Sequence, residues 1–164
     1  MSETKHRPGA VIATIGEGKP VHVMGADLTI KISSRDTGGS FAVFEGQTLP
    51  LDGPPLHRHN QHDEWWYIVD GEYRFEVDGK EMYASAGSTV FAPRGTSHTF
   101  QNIGVRPGWT ITTVVPGGLD LFFEELEQVA PRGTAPDPTK LRPLFEKHGQ
   151  ELLGPPMRGR SASE

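Results

Sequence analysis

Short apolar runs broken by turn residues decide what this chain can fold into. Between Pro20 and Val115 they are Val21-His-Val-Met24, Leu28-Thr-Ile-Lys-Ile32, Phe41-Ala-Val-Phe44, Trp65-Trp-Tyr-Ile-Val69, Tyr73-Arg-Phe-Glu-Val77, Ser88-Thr-Val-Phe91, His98-Thr-Phe100 and Trp109-Thr-Ile-Thr-Thr-Val-Val115. Each has the length of a strand. β-Branched and aromatic residues dominate them, the types that pack well on a pleated, half-buried surface. Tyr73, Phe75 and Val77 alternate with Arg74 and Glu76, so apolar groups share one face and charges the other. Asp70-Gly71 and Asp78-Gly79 are hairpin-type turn dipeptides. Many evenly spaced strands of this kind predict an all-β sandwich or barrel.

Past Val115 the period changes. Leu119, Phe122, Phe123, Leu126 and Val129 fall at helical spacing and form one apolar stripe. After a Pro/Gly/Ala linker, Asp137-Pro138 reads as an N-cap followed by Pro at the first helical position. Leu141, Leu144, Phe145 and His148 continue that second helix, and Gly149 ends it. Helices this short are unstable alone in water, so both are expected to dock on the β domain. The expected organisation is an N-terminal arm over 1–19, a β-barrel over 20–117, docked helices over 118–153 and a loose tail over 154–164. The arm either adds an edge strand or stays loose.

Composition removes several classes of function. A chain of 164 residues can bury a core without staples. A net charge of -5, with no run of Lys and Arg, argues against nucleic acid as a partner. No stretch approaches the roughly 20 apolar residues of a membrane span. Met1 to Pro8 has no apolar secretory core, so a cytoplasmic location is the default expectation. There are no cysteines, which removes disulfides and thiolate metal sites.

The histidines point to chemistry. His57 and His59 are two apart, so on an extended chain they face the same side. Glu64 opens the next strand, and a hairpin can return its carboxylate to the two imidazoles. His98 lies on a later strand and arrives only by tertiary folding. Three imidazoles and a carboxylate suit one divalent first-row transition ion: Fe, Mn, Ni, Co or Zn. They leave one or two positions for substrate or water. An isolated HxH is weak evidence, because most histidines are satisfied polar residues. His62 has an odd offset from His59 and reads as a bystander. His6, His22 and His148 read as structural or exposed.

Two longer segments carry a family resemblance. His57-Arg-His59-Asn-Gln-His-Asp-Glu64-Trp-Trp-Tyr-Ile-Val-Asp-Gly71 resembles the first cupin motif. Gly87-Ser-Thr-Val-Phe-Ala-Pro93-Arg-Gly95-Thr-Ser-His98-Thr-Phe-Gln-Asn102 resembles the second. The resemblance covers roughly residues 40 to 115, and the C-terminal part is similar to small quercetin-dioxygenase-like cupins. One departure stands out: the family places a Gly further before the first His than Gly53, and Pro54-Pro55 takes the place of that turn. The resemblance implies a double-stranded β-helix (jelly-roll) barrel with one or two short C-terminal helices. Its metal ligands fall on His57, His59, Glu64 and His98. Gly71, Gly87, Pro93, Gly95 and Asn102 have structural readings as turn and loop-bonding residues.

The period-2 rule sends Trp66 and Ile68 to the Glu64 side, with Tyr73, Phe75 and Phe100 also inward. The mouth is then apolar and aromatic, and Trp66 and Phe100 are the expected substrate-lining residues. Arg58, Arg74 and Arg94 are expected to face out or to sit in loops. The expected function is a metal-dependent, dioxygenase-like oxidoreductase acting on a small aromatic or enolic substrate. Similar enzymes imply that Glu64 also serves as the catalytic base. A metal-dependent isomerase or lyase, and a non-catalytic small-molecule binding or sensing module, are the alternatives. The outward row Trp65, Tyr67 and Val69 needs cover, which predicts a homodimer.

Overall fold

A computed structural model describes residues 9–23, 26–131 and 137–157. His6 and Met24 lie outside the described residues. The chain runs as β1 (Lys19–Val23), β2 (Ala26–Ile32), β3 (Ala42–Thr48), β4 (Pro55–His59), β5 (Asp63–Asp70), β6 (Glu72–Val77), β7 (Lys80–Ser85), β8 (Thr89–Ala92), β9 (Ser97–Asn102) and β10 (Gly108–Val115). Two helices follow, α1 (Leu119–Val129) and α2 (Pro138–Lys147), and then β11 (Gln150–Pro156). The strands form two antiparallel sheets, ordered β1-β2-β3-β10-β5-β8 and β11-β4-β9-β6-β7. Neither helix is long and apolar enough to cross a membrane.

Alternation along each strand builds the core between the sheets. Trp66, Ile68, Tyr73, Phe75 and Val90 form one buried cluster, with Phe100 packed against it. Phe44 and Val114 join Leu119, Phe122, Leu126 and Phe145 in a second cluster, which docks both helices as the stripe requires. Asp137 caps α2 by accepting from the Thr139 N–H at 2.9 Å. Asp78 and Gly79 both take positive φ, 47° and 74°, as the β6–β7 hairpin turn demands. Asn102 bonds loop backbone as expected, donating to the carbonyls of Thr48 and Arg106 and accepting from Gly104 N–H.

The loop before β4 is pinned onto β9. Leu51 N–H donates to Asn102 O at 2.8 Å, and Asn102 N–H donates to Asp52 O at 3.0 Å. Thr99 Oγ1 donates to Pro54 O at 2.7 Å. Gly53 sits between these contacts, where a Cβ would stand only 1.9 Å from Phe100 O.

Three features differ from the sequence reading. β11 occupies residues assigned there to the end of the helical region and the loose tail. It pairs with β4 at the edge of its sheet, where proline is tolerated, and its register shifts between Leu152 and Gly154 and between Gly154 and Pro156. β7 was absent from the sequence reading, because Lys80-Glu-Met-Tyr-Ala-Ser85 is an exposed edge strand with only Ala84 buried. Arg74 lies on the outer face of β6 as expected but is buried between its register partners Tyr83 and Gln101. Its Nη1 reaches Glu81 Oε1 at 3.7 Å.

Candidate metal centre

The four side chains singled out by spacing meet at one point. His57 and His59 lie on β4, and His98 stands opposite His57 on the adjacent β9. Glu64 comes from β5 in the other sheet and reaches across the sandwich. Their ligand atoms all lie within 4.8 Å of one another. The His57 ring centroid is 4.8 Å from His59 and 4.4 Å from His98. His59, Glu64 and His98 are buried, and His57 is half-buried.

The outer nitrogens of the three rings are all engaged by acceptors. His57 Nδ1 meets Pro55 O at 2.8 Å, and His98 Nδ1 meets Thr96 O at 3.3 Å. His59 Nδ1 meets the Gln150 side-chain oxygen. Carbonyl oxygens only accept, so the ring protons belong on Nδ1 and the Nε2 lone pairs face inward. His59 Nε2 and His98 Nε2 then face Glu64 Oε2 at 2.9 and 3.2 Å. None of these three buried atoms has a hydrogen-bond partner.

Lone pairs aimed at a buried carboxylate repel unless positive charge lies between them. Burial works against charge on Glu64, but positive charge at His59 and His98, whose Nε2 would then carry protons, outweighs it and holds the carboxyl well below the usual carboxylate range. His57 is pushed well below the usual imidazole range, first by burial and then by His59 and His98. Filling the site with protons on all three rings is therefore disfavoured. A divalent cation satisfies every orphaned atom at once, so the residues present fit a metal.

A cavity of about 220 Å³ adjoins the cluster. Trp66 and Phe100 line it, together with Phe44 and with Phe122, Phe123 and Leu126 of α1. Thr110, Thr112 and Gln150 add neutral polar groups, and no described lining residue is Lys or Arg. Trp65, Tyr67 and Val69 face away from the site.

The sequence reading missed three contributions. His62 is buried, with its ring centroid 6.2 Å from His59 and its Nδ1 unpartnered. Its pKa is pushed down to about 4, by burial first and by His59 next. The α1 phenylalanines were read as a docking stripe, and they also wall the cavity. Gln150 gave no signal, since its role depends on a strand pairing 91 positions away in sequence.

The cupin-domain family model matches residues 47–114, the segment that carries all four side chains. Quercetin 2,3-dioxygenase of Bacillus subtilis (strain 168) is 25% identical over 120 residues, covering 72% of this chain and 35% of that protein. The oxalate-binding protein of Thermotoga maritima is 39% identical over 49 residues, covering 30% of this chain and 40% of that one. The chain thus spans less than half the length of either relative. A solved structure of a predicted oxalate decarboxylase from Thermotoga maritima shares the fold, with a TM-score of 0.59 at 21% identity over 65% of this chain and 99% of that one. Two antiparallel sheets of the shared fold and a family match over the strands that bear the site lead to one conclusion: residues 47–114 of the chain form a cupin domain.

Proposed function

We propose that the protein is a metal-dependent, dioxygenase-like enzyme acting on a small aromatic or enolic substrate, with His57, His59, Glu64 and His98 holding one divalent first-row ion. The observation that carries this reading is the set of orphaned buried atoms, Nε2 of His59 and His98 and Oε2 of Glu64, at the end of an apolar cavity. A bound ion would supply Lewis acidity toward a substrate oxygen. Glu64, ionised at neutral pH, takes the substrate hydroxyl proton. Trp66 and Phe100 hold an apolar ring against the site and exclude water.

The cavity favours a quercetin-like over an oxalate-like substrate. A small dianion would find no cationic partner besides the ion itself, because the described lining offers Asp27 and Asp52 but no Lys or Arg, whereas the aromatic walls suit an apolar ring. Metal-free protein reloaded separately with Fe(II), Mn(II), Co(II), Ni(II) and Zn(II) is expected to retain one equivalent per chain of at least one ion, read by elemental analysis. Oxygen uptake is then followed with a flavonol and with smaller catechols. Retention of no ion defeats the proposal, and turnover unchanged under anaerobic conditions transfers the site to isomerase or lyase chemistry.

The same reading includes a homodimer. Tyr67 (47% exposed), Val69 (50%) and Phe91 (55%) leave an apolar patch on the outer face of β5 and β8. Light scattering is expected to give twice the 18.0 kDa chain mass, and a clean monomer refutes this part.

A further inference from the structure

We infer that Gln150 is a positioning residue that sets the tautomer of His59 and thereby aims its Nε2 lone pair into the metal centre. The inference rests on the metal reading above and extends it to a residue outside the segment matched by the cupin family. Gln150 opens β11 and stands opposite His59 on β4 in the register. Its side chain is buried, and its Nε2 donates to His148 O at 3.1 Å. A backbone carbonyl can only accept, so this contact fixes which way the amide points. The amide nitrogen faces His148, and the amide oxygen is left facing His59 Nδ1. An oxygen there requires the ring proton on Nδ1.

His57 and His98 obtain the same orientation locally, from carbonyls two residues earlier on their own chain segments. His59 is the exception, because its acceptor arrives from the C-terminal unit of α2 and β11. A neutral amide suits this position. It orients the ring without adding a second anion beside buried Glu64.

The test uses the full chain and two variants. Gln150→Leu keeps the volume and removes the acceptor, whereas Gln150→Glu keeps an acceptor. Zn(II) affinity is measured by competition with a chromophoric chelator, and His59 is read in proton–nitrogen ring correlation spectra of the metal-free protein. The parent is expected to show His59 protonated on Nδ1. Gln150→Leu is expected to lose about 10- to 100-fold in Zn(II) affinity and to shift His59 toward the Nε2-protonated form, with circular dichroism unchanged. Gln150→Glu, which keeps an oxygen facing His59 Nδ1, is expected to restore the Nδ1 tautomer but not the full Zn(II) affinity, because its second oxygen faces His148 O and a new carboxyl stands beside Glu64. An Nε2-protonated His59 in the parent, or parent-like affinity in Gln150→Leu, overturns the inference. A parent that binds none of the five ions but shows the Nδ1 tautomer would strike the metal reading and leave the tautomer assignment standing.

Discussion

Glu64→Gln is expected to preserve the fold and to lower turnover by about 10²- to 10⁴-fold, the usual span for removing a general base. Gln matches Glu in size, and the site lies inside a sandwich whose cores do not depend on this side chain. The charge is what changes. Oε2 of Glu64 is the oxygen facing both His59 and His98, and a neutral amide balances a cation there less well. The amide also has no basicity with which to take a substrate proton. Metal content, circular dichroism and oxygen uptake should be measured on the same preparation, so that loss of the ion is separated from loss of the base. A variant that consumes oxygen as fast as the parent removes Glu64 from the mechanism.

Gly53→Ala is expected to lower stability by about 3 kcal/mol, from three pinning hydrogen bonds at about 1 kcal/mol each. For a chain of this size that corresponds to a drop of about 6–12 °C in melting temperature. The added methyl meets backbone on a strand held on both sides, not a movable side-chain tip. The loop must lift, and Leu51, Asp52 and Pro54 then lose their bonds to β9. Because β9 carries His98, metal retention should fall with it. Calorimetry checks the first effect and elemental analysis the second. A melting temperature within about 2 °C of the parent shows that the loop yields without cost.

Local chemistry made much of this legible in the sequence. The two-residue spacing of His57 and His59 requires only an extended chain, and β4 supplies it. The alternation on β5 put Glu64, Trp66 and Ile68 inward without any tertiary information. Gly71 and Gly87 take positive φ, 103° and 87°, as their turn readings required. What stayed hidden depends on neighbours distant in sequence. β11 contains Gly154, Pro155 and Pro156, which oppose a strand unless the segment lies at a sheet edge. Arg74 is buried by flanking strands, a property that alternation along its own strand does not encode. Gln150 has the same difficulty, because a lone glutamine acquires meaning only from the strand it pairs with.

Glu64 stands alone on its side of the sandwich, while all three imidazoles belong to the opposite sheet. A cation held there acts as a rivet through both layers. Breathing that parts the layers at this end must first release the ion, so occupancy strengthens the seam. At a free-ion level a hundred times its dissociation constant, that reinforcement is about 2.7 kcal/mol. Ion supply would thus govern how long the folded molecule lasts.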